Sequence, residues 1–296
     1  MDAGALSSIG GFEERIVETV DGLTIYARDY APLAPVTGLP VICLHGLTRN
    51  SKDFEDVAPL IGGMGRRVIV PDVRGRGLSD RDPNPANYQP KVYARDVRGM
   101  MKDLGINRAV FLGTSMGGLI AMTLAAADSK RVAAAILNDV GPEIAPEGVA
   151  RILGYAGKGA PIENWDDAVD YLKRINGGLF PDFTLDEWRR FARRTFREVG
   201  GKPTLDYDPK IAGVLAMPGR LTTILARWLF KKLARNRPTL LLRGGLSDLI
   251  SANIAERMKR LAPSLEVVEV PNVGHAPMLD EPIAVDAITH FLRTVP

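Results

Sequence analysis

The chain has 296 residues, of which 46% are hydrophobic, so it is long enough to bury a large core and too apolar to be disordered throughout. Its net charge of +3 and isoelectric point of about 9.0 do not indicate nucleic-acid binding, because no aromatic residues interleave with a basic stripe. The N-terminus lacks the pattern of a signal peptide and no run of about 18 apolar residues occurs, so we expect a cytoplasmic protein without a membrane span.

The chain is predicted to begin with two antiparallel strands, because "ERIVETV" and "LTIYARDY" flank Asp21-Gly22, a dipeptide suited to a tight hairpin turn. Six further apolar runs alternate with helical segments. These runs are "PVICLHG" (40–46), "RRVIVPD" (66–72), "RAVFLGT" (108–114), "VAAAILND" (132–139), "PTLLLRG" (238–244) and "LEVVEVP" (265–271). Their nearly continuous Val, Ile and Leu content is typical of parallel strands covered by helices on both faces, which predicts an α/β fold. Cys43, within the first run, is interpreted as a small buried hydrophobic residue.

An insertion interrupts this alternation, since far more residues separate Asp139 from Pro238 than a crossover helix needs. Apolar residues at three- and four-residue intervals in "WDDAVDYLKRI", "TLDEWRRFARRTFREV" and "LTTILARWLFKKLAR" predict that the insertion is mostly helical. The sequence therefore predicts a core domain from residues 1–140 and 238–296, with a helical cap at 141–237.

The stretch "LGTSMGGL" places Ser115 between an apolar run and a helical segment. Gly113-Thr114-Ser115-Met116-Gly117 matches G-x-S-x-G, in which small residues allow a sharp strand-to-helix turn that exposes the serine hydroxyl. A plain turn would also tolerate this composition. The flanking strand and helix favour a nucleophile.

A serine hydroxyl needs a base to accept its proton, and the chain has three histidines. His275 lies in "VPNVGHAPMLDEP", a loop between the last apolar run and a helical segment, and is the preferred base. His45, directly after the first buried strand, is interpreted as shaping its loop. His290 falls within a C-terminal amphipathic helix and is interpreted as a surface residue.

A carboxylate must orient the base, and two aspartates follow strands at the edge of the sheet that would carry the site. Asp248, in "LLLRGGLSDLIS", is preferred because it lies in a loop just beyond the strand at 238–244 and precedes His275 by 27 residues. The order Ser, Asp, His along the chain is the one that α/β-hydrolases use. Asp139, in "ILNDVGPE", ends the neighbouring strand and is the alternative.

An acyl-transfer site also needs hydrogen-bond donors for the negative charge that develops on the carbonyl oxygen. The backbone N–H of Met116, which follows the nucleophile at a helix start, is one candidate. The other is expected in the loop after the first parallel strand, "HGLTRN", which points to the N–H of Leu47. The three histidines lie on separate elements and predict no metal site, and no cofactor motif is present.

Together these motifs resemble the capped serine hydrolases of the α/β-hydrolase superfamily, among them esterases, lactonases and carbon–carbon hydrolases. The resemblance runs from "LHGLTRNSKDFEDVAPLI" through "VIVPDVRGRGLSD" and "FLGTSMGGLIAM" to "LLLRGGLSDLIS" and "VGHAPMLDEP". It implies a mostly parallel eight-stranded sheet flanked by helices, with structural roles for Asp72 and Arg74. Haloalkane dehalogenases and epoxide hydrolases are disfavoured because they carry aspartate in place of Ser115.

The sequence thus predicts a cofactor-independent serine hydrolase that cleaves a small carboxylic ester or lactone through an acyl-enzyme, with Ser115, His275 and Asp248 as the triad. A carbon–carbon hydrolase of ring-cleavage dienoates is the related alternative. A ligand-binding or signalling protein on the same scaffold is the alternative from another class. The substrate and the oligomeric state do not follow from the sequence.

The segment 189–237 carries thirteen Lys or Arg residues against three acidic residues, a surplus of ten in a chain whose total is +3. A lid that attracts anionic substrates, or contacts an anionic surface, would have this composition. The preferred interpretation is a solvated outer face of the cap helices.

Overall fold

A computed structural model describes residues 11–159, 161–214 and 219–296 of the chain. Residues 1–10, where the sequence predicts no signal peptide, lie outside the described residues. The described strands are β1 (Glu13–Glu18), β2 (Thr24–Tyr30), β3 (Val41–Leu44), β4 (Val68–Pro71), β5 (Ala109–Thr114), β6 (Val132–Asn138), β7 (Phe196–Val199), β8 (Lys202–Leu205), β9 (Thr239–Gly244) and β10 (Leu265–Val270).

Eight of these strands form one sheet in the order β1-β2-β4-β3-β5-β6-β9-β10. The pairs β1–β2 and β2–β4 are antiparallel, and the remaining pairs are parallel. The predicted α/β class and the mostly parallel eight-stranded sheet are confirmed. Gly22, with φ of +80°, lies in the turn between β1 and β2, where its lack of a side chain permits the left-handed conformation.

The described helices are α1 (Val57–Gly63), α2 (Pro90–Asp103), α3 (Met116–Ala127), α4 (Pro146–Tyr155), α5 (Trp165–Asn176), α6 (Leu185–Thr195), α7 (Arg220–Ala234), α8 (Ala252–Leu261) and α9 (Pro282–Thr294). None of the helices in these described parts is long and apolar enough to cross a membrane.

Helices cover both faces of the sheet, and β3 shows why its sequence is apolar throughout. Ile42 and Leu44 belong to the core shared with α2, α3, α7 and α8, whereas Val41 and Cys43 belong to the core shared with α1 and α9. All four residues are fully buried. Because successive side chains of a strand point to opposite faces, a strand covered on both sides needs an apolar residue at every position. Each such side chain contributes about 1.5 to 3 kcal/mol through burial.

The segment between β6 and β9 contains four helices, α4 to α7, together with a small antiparallel hairpin of β7 and β8. The sequence predicts a helix through residue 199, but α6 ends at Thr195. Gly200 and Gly201 both have positive φ and form the turn that pairs β7 with β8. The helical pattern did not reveal this pairing, because cross-strand partners are set by the turn and not by local periodicity.

The last helix of this segment, α7, lies on the sheet. Phe230, Leu233 and Ala234 are buried in the same core as α3. The predicted cap boundary at 237 therefore includes a helix that packs against the main sheet. The part of the insertion that covers the sheet edge is built from α4, α5, α6 and the β7–β8 hairpin, and we call it the covering segment (residues 146–208).

A buried cluster of charges holds the loop that follows β4. Arg74 is fully buried, and its guanidinium donates hydrogen bonds to Asp96 at 2.6 and 2.7 Å and forms ion pairs with Asp82 and Asp21. Asp72, also buried, accepts hydrogen bonds from the backbone N–H of Ser51 and of Leu78. These contacts agree with structural roles for Asp72 and Arg74.

We expect Arg74→Met to lower the free energy of unfolding by about 3 to 5 kcal/mol, because it leaves the buried carboxylates of Asp82 and Asp96 without their cation. Arg81→Met, on the exposed part of the same loop, is the control and should change stability by less than about 0.5 kcal/mol. Urea unfolding of both variants measures the difference. Equal stabilities would show that the cluster does not stabilise the fold.

Candidate active site

Ser115 occupies a strained turn between β5 and α3, with φ of 50° and ψ of −113°. A Cβ atom added to Gly113 would lie 2.5 Å from backbone atoms of Gly117 and Gly118, and one added to Gly117 would lie 2.0 Å from the carbonyl oxygen of Leu44. The close approach of β3, β5 and α3 therefore requires glycine on both sides of the serine. This turn projects the hydroxyl toward a cavity at the edge of the sheet.

His275 follows β10 and contacts Ser115 directly. Its Nε2 lies 3.0 Å from the Ser115 Oγ, and its Nδ1 lies 2.8 Å from Oδ2 of Asp139. Since a carboxylate can only accept, Nδ1 must carry the proton in this arrangement, which leaves the Nε2 lone pair facing the serine hydroxyl. The three side chains form one continuous hydrogen-bonded chain.

The prediction that Asp248 is the partner of His275 is wrong, because Asp139 occupies that position. Asp248 instead binds Arg151 of α4, with its carboxylate oxygens 2.6 Å from Nε and 3.1 Å from Nη2. Asp139, the alternative, contacts the histidine because its backbone has φ of 51° and turns the side chain toward β9 and β10. The two aspartates follow neighbouring strands, so only the paths of the two loops decide which carboxylate reaches His275.

The Asp139 carboxylate is fully buried and has three donors within the described residues. Oδ1 accepts from the backbone N–H of Gly244 at 3.0 Å, and Oδ2 accepts from the Ser247 hydroxyl at 2.5 Å as well as from His275. Ser247 was not singled out in the sequence, although it directly precedes Asp248. Its hydroxyl also accepts from the backbone N–H of Leu249 and of Ile250, which fixes its orientation.

Neither of the other two histidines is hydrogen-bonded to Ser115 in the described protein. His45 is fully buried, and its Nε2 accepts a hydrogen bond from the backbone N–H of Val73 at 3.0 Å. Its Nδ1 then donates to the carbonyl oxygen of Gly46 at 2.7 Å. Burial lowers the pKa of His45 to about 4, so the ring stays neutral and holds the loop after β3. His290 is exposed on α9.

Leu47 lines the cavity together with Ser115, and Met116 follows the serine at the start of α3. Among the described residues, neither backbone N–H donates a hydrogen bond within the protein, and the Met116 N–H belongs to the first turn of α3. Arg76, fully buried and not identified from the sequence, links the two positions. It donates to the Leu47 carbonyl oxygen at 2.9 Å and contacts the Met116 sulfur at 3.4 Å. This side chain fixes the peptide that precedes Thr48.

A cavity of about 100 Å³ separates the serine and histidine from the covering segment. Its lining is largely apolar, with Leu172, Ile175, Phe180, Phe191 and Leu205. Polar groups from the same segment also reach it, namely Tyr155, Tyr171, Asn176, Thr195 and Tyr207. Within the described parts of the chain, no group of three His, Cys, Asp or Glu side chains could hold a metal ion.

Residues 40–282 of the chain match a known family model, described as the alpha/beta hydrolase fold. The chain belongs to the α/β hydrolase fold family. This confirms the superfamily that the sequence motifs indicated.

Several relatives of this α/β hydrolase are themselves named as hydrolases. A crystal structure of an alpha/beta hydrolase from Novosphingobium aromaticivorans is similar with a TM-score of 0.88 and 43% identity, covering 97% of this chain and 99% of that one. A 3-hydroxybutyrate-oligomer hydrolase of Cupriavidus necator is 34% identical over 268 residues, 87% of this chain and 89% of the relative. A 2-(acetamidomethylene)succinate hydrolase of Mesorhizobium japonicum is 29% identical over 262 residues, 86% and 88% of the two chains.

The contact between His275 and Asp139 predicts a ranking of two matched variants. Asp139→Asn keeps the side-chain size but presents an amide that favours the wrong imidazole tautomer, which costs about four orders of magnitude in kcat in a serine protease. We expect a loss of this order here. Asp248→Asn removes only a partly exposed ion pair with Arg151 and should retain activity within about tenfold. Ester hydrolysis by both folded variants tests the ranking, and the reverse order would contradict it.

The burial of His45 predicts that the free energy of unfolding decreases at acidic pH. The folded-state pKa of about 4 lies below the ordinary value of 6.5, so the unfolded chain binds the proton first. The contribution of the neutral His45 to the free energy of unfolding is fully present above pH 6.5. It falls as the pH drops toward 4, by at most about 3 kcal/mol. In His45→Gln, whose amide offers a donor and an acceptor but does not titrate, urea unfolding should depend less steeply on pH. His290→Gln should leave the slope unchanged, and equal slopes in all three proteins would refute the assignment.

Proposed function

We propose that this α/β hydrolase is a serine esterase that cleaves a small carboxylic ester or lactone, with Ser115 as nucleophile, His275 as general base and Asp139 as the acid that orients the base. The observation that carries the proposal is the hydrogen-bonded chain from the Ser115 hydroxyl through both ring nitrogens of His275 to a buried carboxylate. This order of groups is the arrangement by which a weak hydroxyl nucleophile is activated.

In the proposed reaction, the Ser115 oxygen attacks the ester carbonyl while its proton passes to Nε2 of His275. The backbone N–H groups of Leu47 and Met116 bind the oxyanion, with the N-terminus of α3 adding a favourable dipole. The imidazolium then gives its proton to the departing alcohol oxygen, and the acyl-enzyme forms. Water, deprotonated by His275, attacks the acyl carbonyl, and the proton returns to Ser115 as the carboxylic acid leaves.

One relative supports an ester as the reacting bond. The Cupriavidus necator relative is named for oligomers of 3-hydroxybutyrate, whose units are joined by esters, and it covers most of both chains. The covering segment closes the cavity with apolar side chains that suit a short hydrocarbon portion of a substrate. The cytoplasmic location expected from the sequence stays a prediction.

A fluorophosphonate probe should label the wild-type protein at Ser115, and Ser115→Ala should lose both labelling and hydrolysis of p-nitrophenyl butyrate. We expect a fall in kcat of at least about four orders of magnitude, because the hydroxyl is the attacking atom. Ser129→Ala, an exposed serine after α3, is the matched control and should behave as the wild type.

Three results would contradict this proposal. Labelling at another serine would place the nucleophile elsewhere. A folded wild-type protein that is labelled but turns over no simple ester would favour the carbon–carbon hydrolases, and one that is neither labelled nor active would favour a ligand-binding protein on this scaffold.

A further inference from the structure

Three tyrosines of the covering segment line the cavity that faces Ser115. Tyr155 ends α4, Tyr171 lies within α5, and Tyr207 follows β8. Apolar side chains of α5 and α6 surround them, with Leu172, Ile175 and Phe191 as examples, although Asn176 and Thr195 also line the cavity. The tyrosines therefore give this wall of the cavity its phenolic groups.

The hydroxyl of Tyr171 is buried without a hydrogen-bond partner in the described protein. Only 6% of the surface of Tyr171 as a whole is exposed. Two buried tyrosines away from the cavity do have partners, since Tyr88 donates to Asp208 at 2.7 Å and Tyr93 accepts from Arg76 at 2.9 Å. An unpaired buried hydroxyl costs about 1 to 3 kcal/mol, so a native structure that keeps one at a cavity wall calls for an explanation.

The neighbouring phenols do not supply the hydrogen-bond partner that the Tyr171 hydroxyl lacks. Tyr207 accepts a hydrogen bond from the backbone N–H of Gly157 at 3.4 Å. Burial raises the pKa of Tyr171 and of Tyr207, and the proximity of Tyr155 raises both further. The phenols of Tyr171 and Tyr207 therefore stay protonated near neutral pH, so the unpaired hydroxyl of Tyr171, a residue that lines the cavity, has a proton to donate.

We propose that the Tyr171 hydroxyl binds a second oxygen of the substrate, so that the enzyme selects esters whose acyl chain carries a hydroxyl or ester oxygen over esters with a plain hydrocarbon chain. This deepens the proposed esterase function and rests on it. A bound substrate with a hydrocarbon acyl chain would leave the Tyr171 hydroxyl unpaired, whereas an oxygen on the acyl chain would accept a hydrogen bond from it. Sites that pair a polar substrate group reject the analogue that lacks it far more strongly than apolar sites discriminate by size.

A matched pair of esters tests this preference, namely p-nitrophenyl 3-hydroxybutanoate, with each enantiomer assayed, and p-nitrophenyl 3-methylbutanoate. The two differ by a hydroxyl in place of a methyl group and are nearly equal in size. After each kcat/KM is divided by the rate of hydroxide-catalysed hydrolysis, we expect the wild type to prefer the better hydroxy enantiomer by at least about tenfold, which corresponds to about 1.4 kcal/mol.

In Tyr171→Phe, the ratio should fall to near one through loss of activity on the hydroxy ester, while activity on the methyl ester stays the same or rises. Tyr26→Phe, on β2 and hydrogen-bonded to Glu14, is the control and should keep the wild-type ratio. Fluorophosphonate labelling at the wild-type rate shows that the triad of each variant is intact.

A wild-type ratio near one overturns the proposal without the need for a folded variant. An unchanged ratio in Tyr171→Phe also overturns it, because the preference would then come from another group. In both cases the esters are still cleaved, so the esterase function survives. If the folded wild type cleaves neither ester, the proposed function fails, and the role of Tyr171 fails with it.

Discussion

The site depends on one buried carboxylate, that of Asp139, because it joins the ends of three parallel strands. Asp139 follows β6, and its oxygens accept from Gly244 at the end of β9, from Ser247 in the next loop and from His275 after β10. A charge removed from water is tolerated only when donors surround it, so these loops cannot shift independently. The histidine is thereby held within 3.0 Å of Ser115.

At the ends of these strands, two residues that are not glycine adopt strained backbone conformations. Ser115 and Asp139, on adjacent strands, both have positive φ, a conformation that non-glycine residues adopt at a cost of about 1 to 3 kcal/mol. At Ser115 the flanking glycines allow β3 and α3 to approach the turn closely. At Asp139 the compensating contacts are the hydrogen bonds of its own side chain. The large buried core supplies the stability that offsets both costs.

Ion pairs attach the covering segment to the sheet edge and account for part of the basic surplus of residues 189–237. Arg194, with only 7% of its side chain exposed, pairs with Asp56, and the half-exposed Arg190 pairs with Asp280. Outside that surplus, Arg151 pairs with Asp248 and also donates to Asn176 in the cavity wall. Arg190 and Arg194 are therefore not simply part of a solvated outer face, since they meet acidic residues of the core. Asp248, in turn, holds the covering segment in place over the cavity.

Local sequence determined the elements, since continuous apolar runs specify doubly covered strands and G-x-S-x-G specifies the turn at Ser115, and it also marked His275 by its position after the last strand. It did not determine which aspartate meets His275, because Asp139 and Asp248 both follow adjacent strands and differ only in how each loop leaves the sheet. Nor did it reveal Arg76, Ser247 or the unpaired hydroxyl of Tyr171, since such roles are defined by partners distant in the chain. Periodicity reports which face of an element is buried, whereas a hydrogen bond between loops exists only after the sheet has set the positions of their ends.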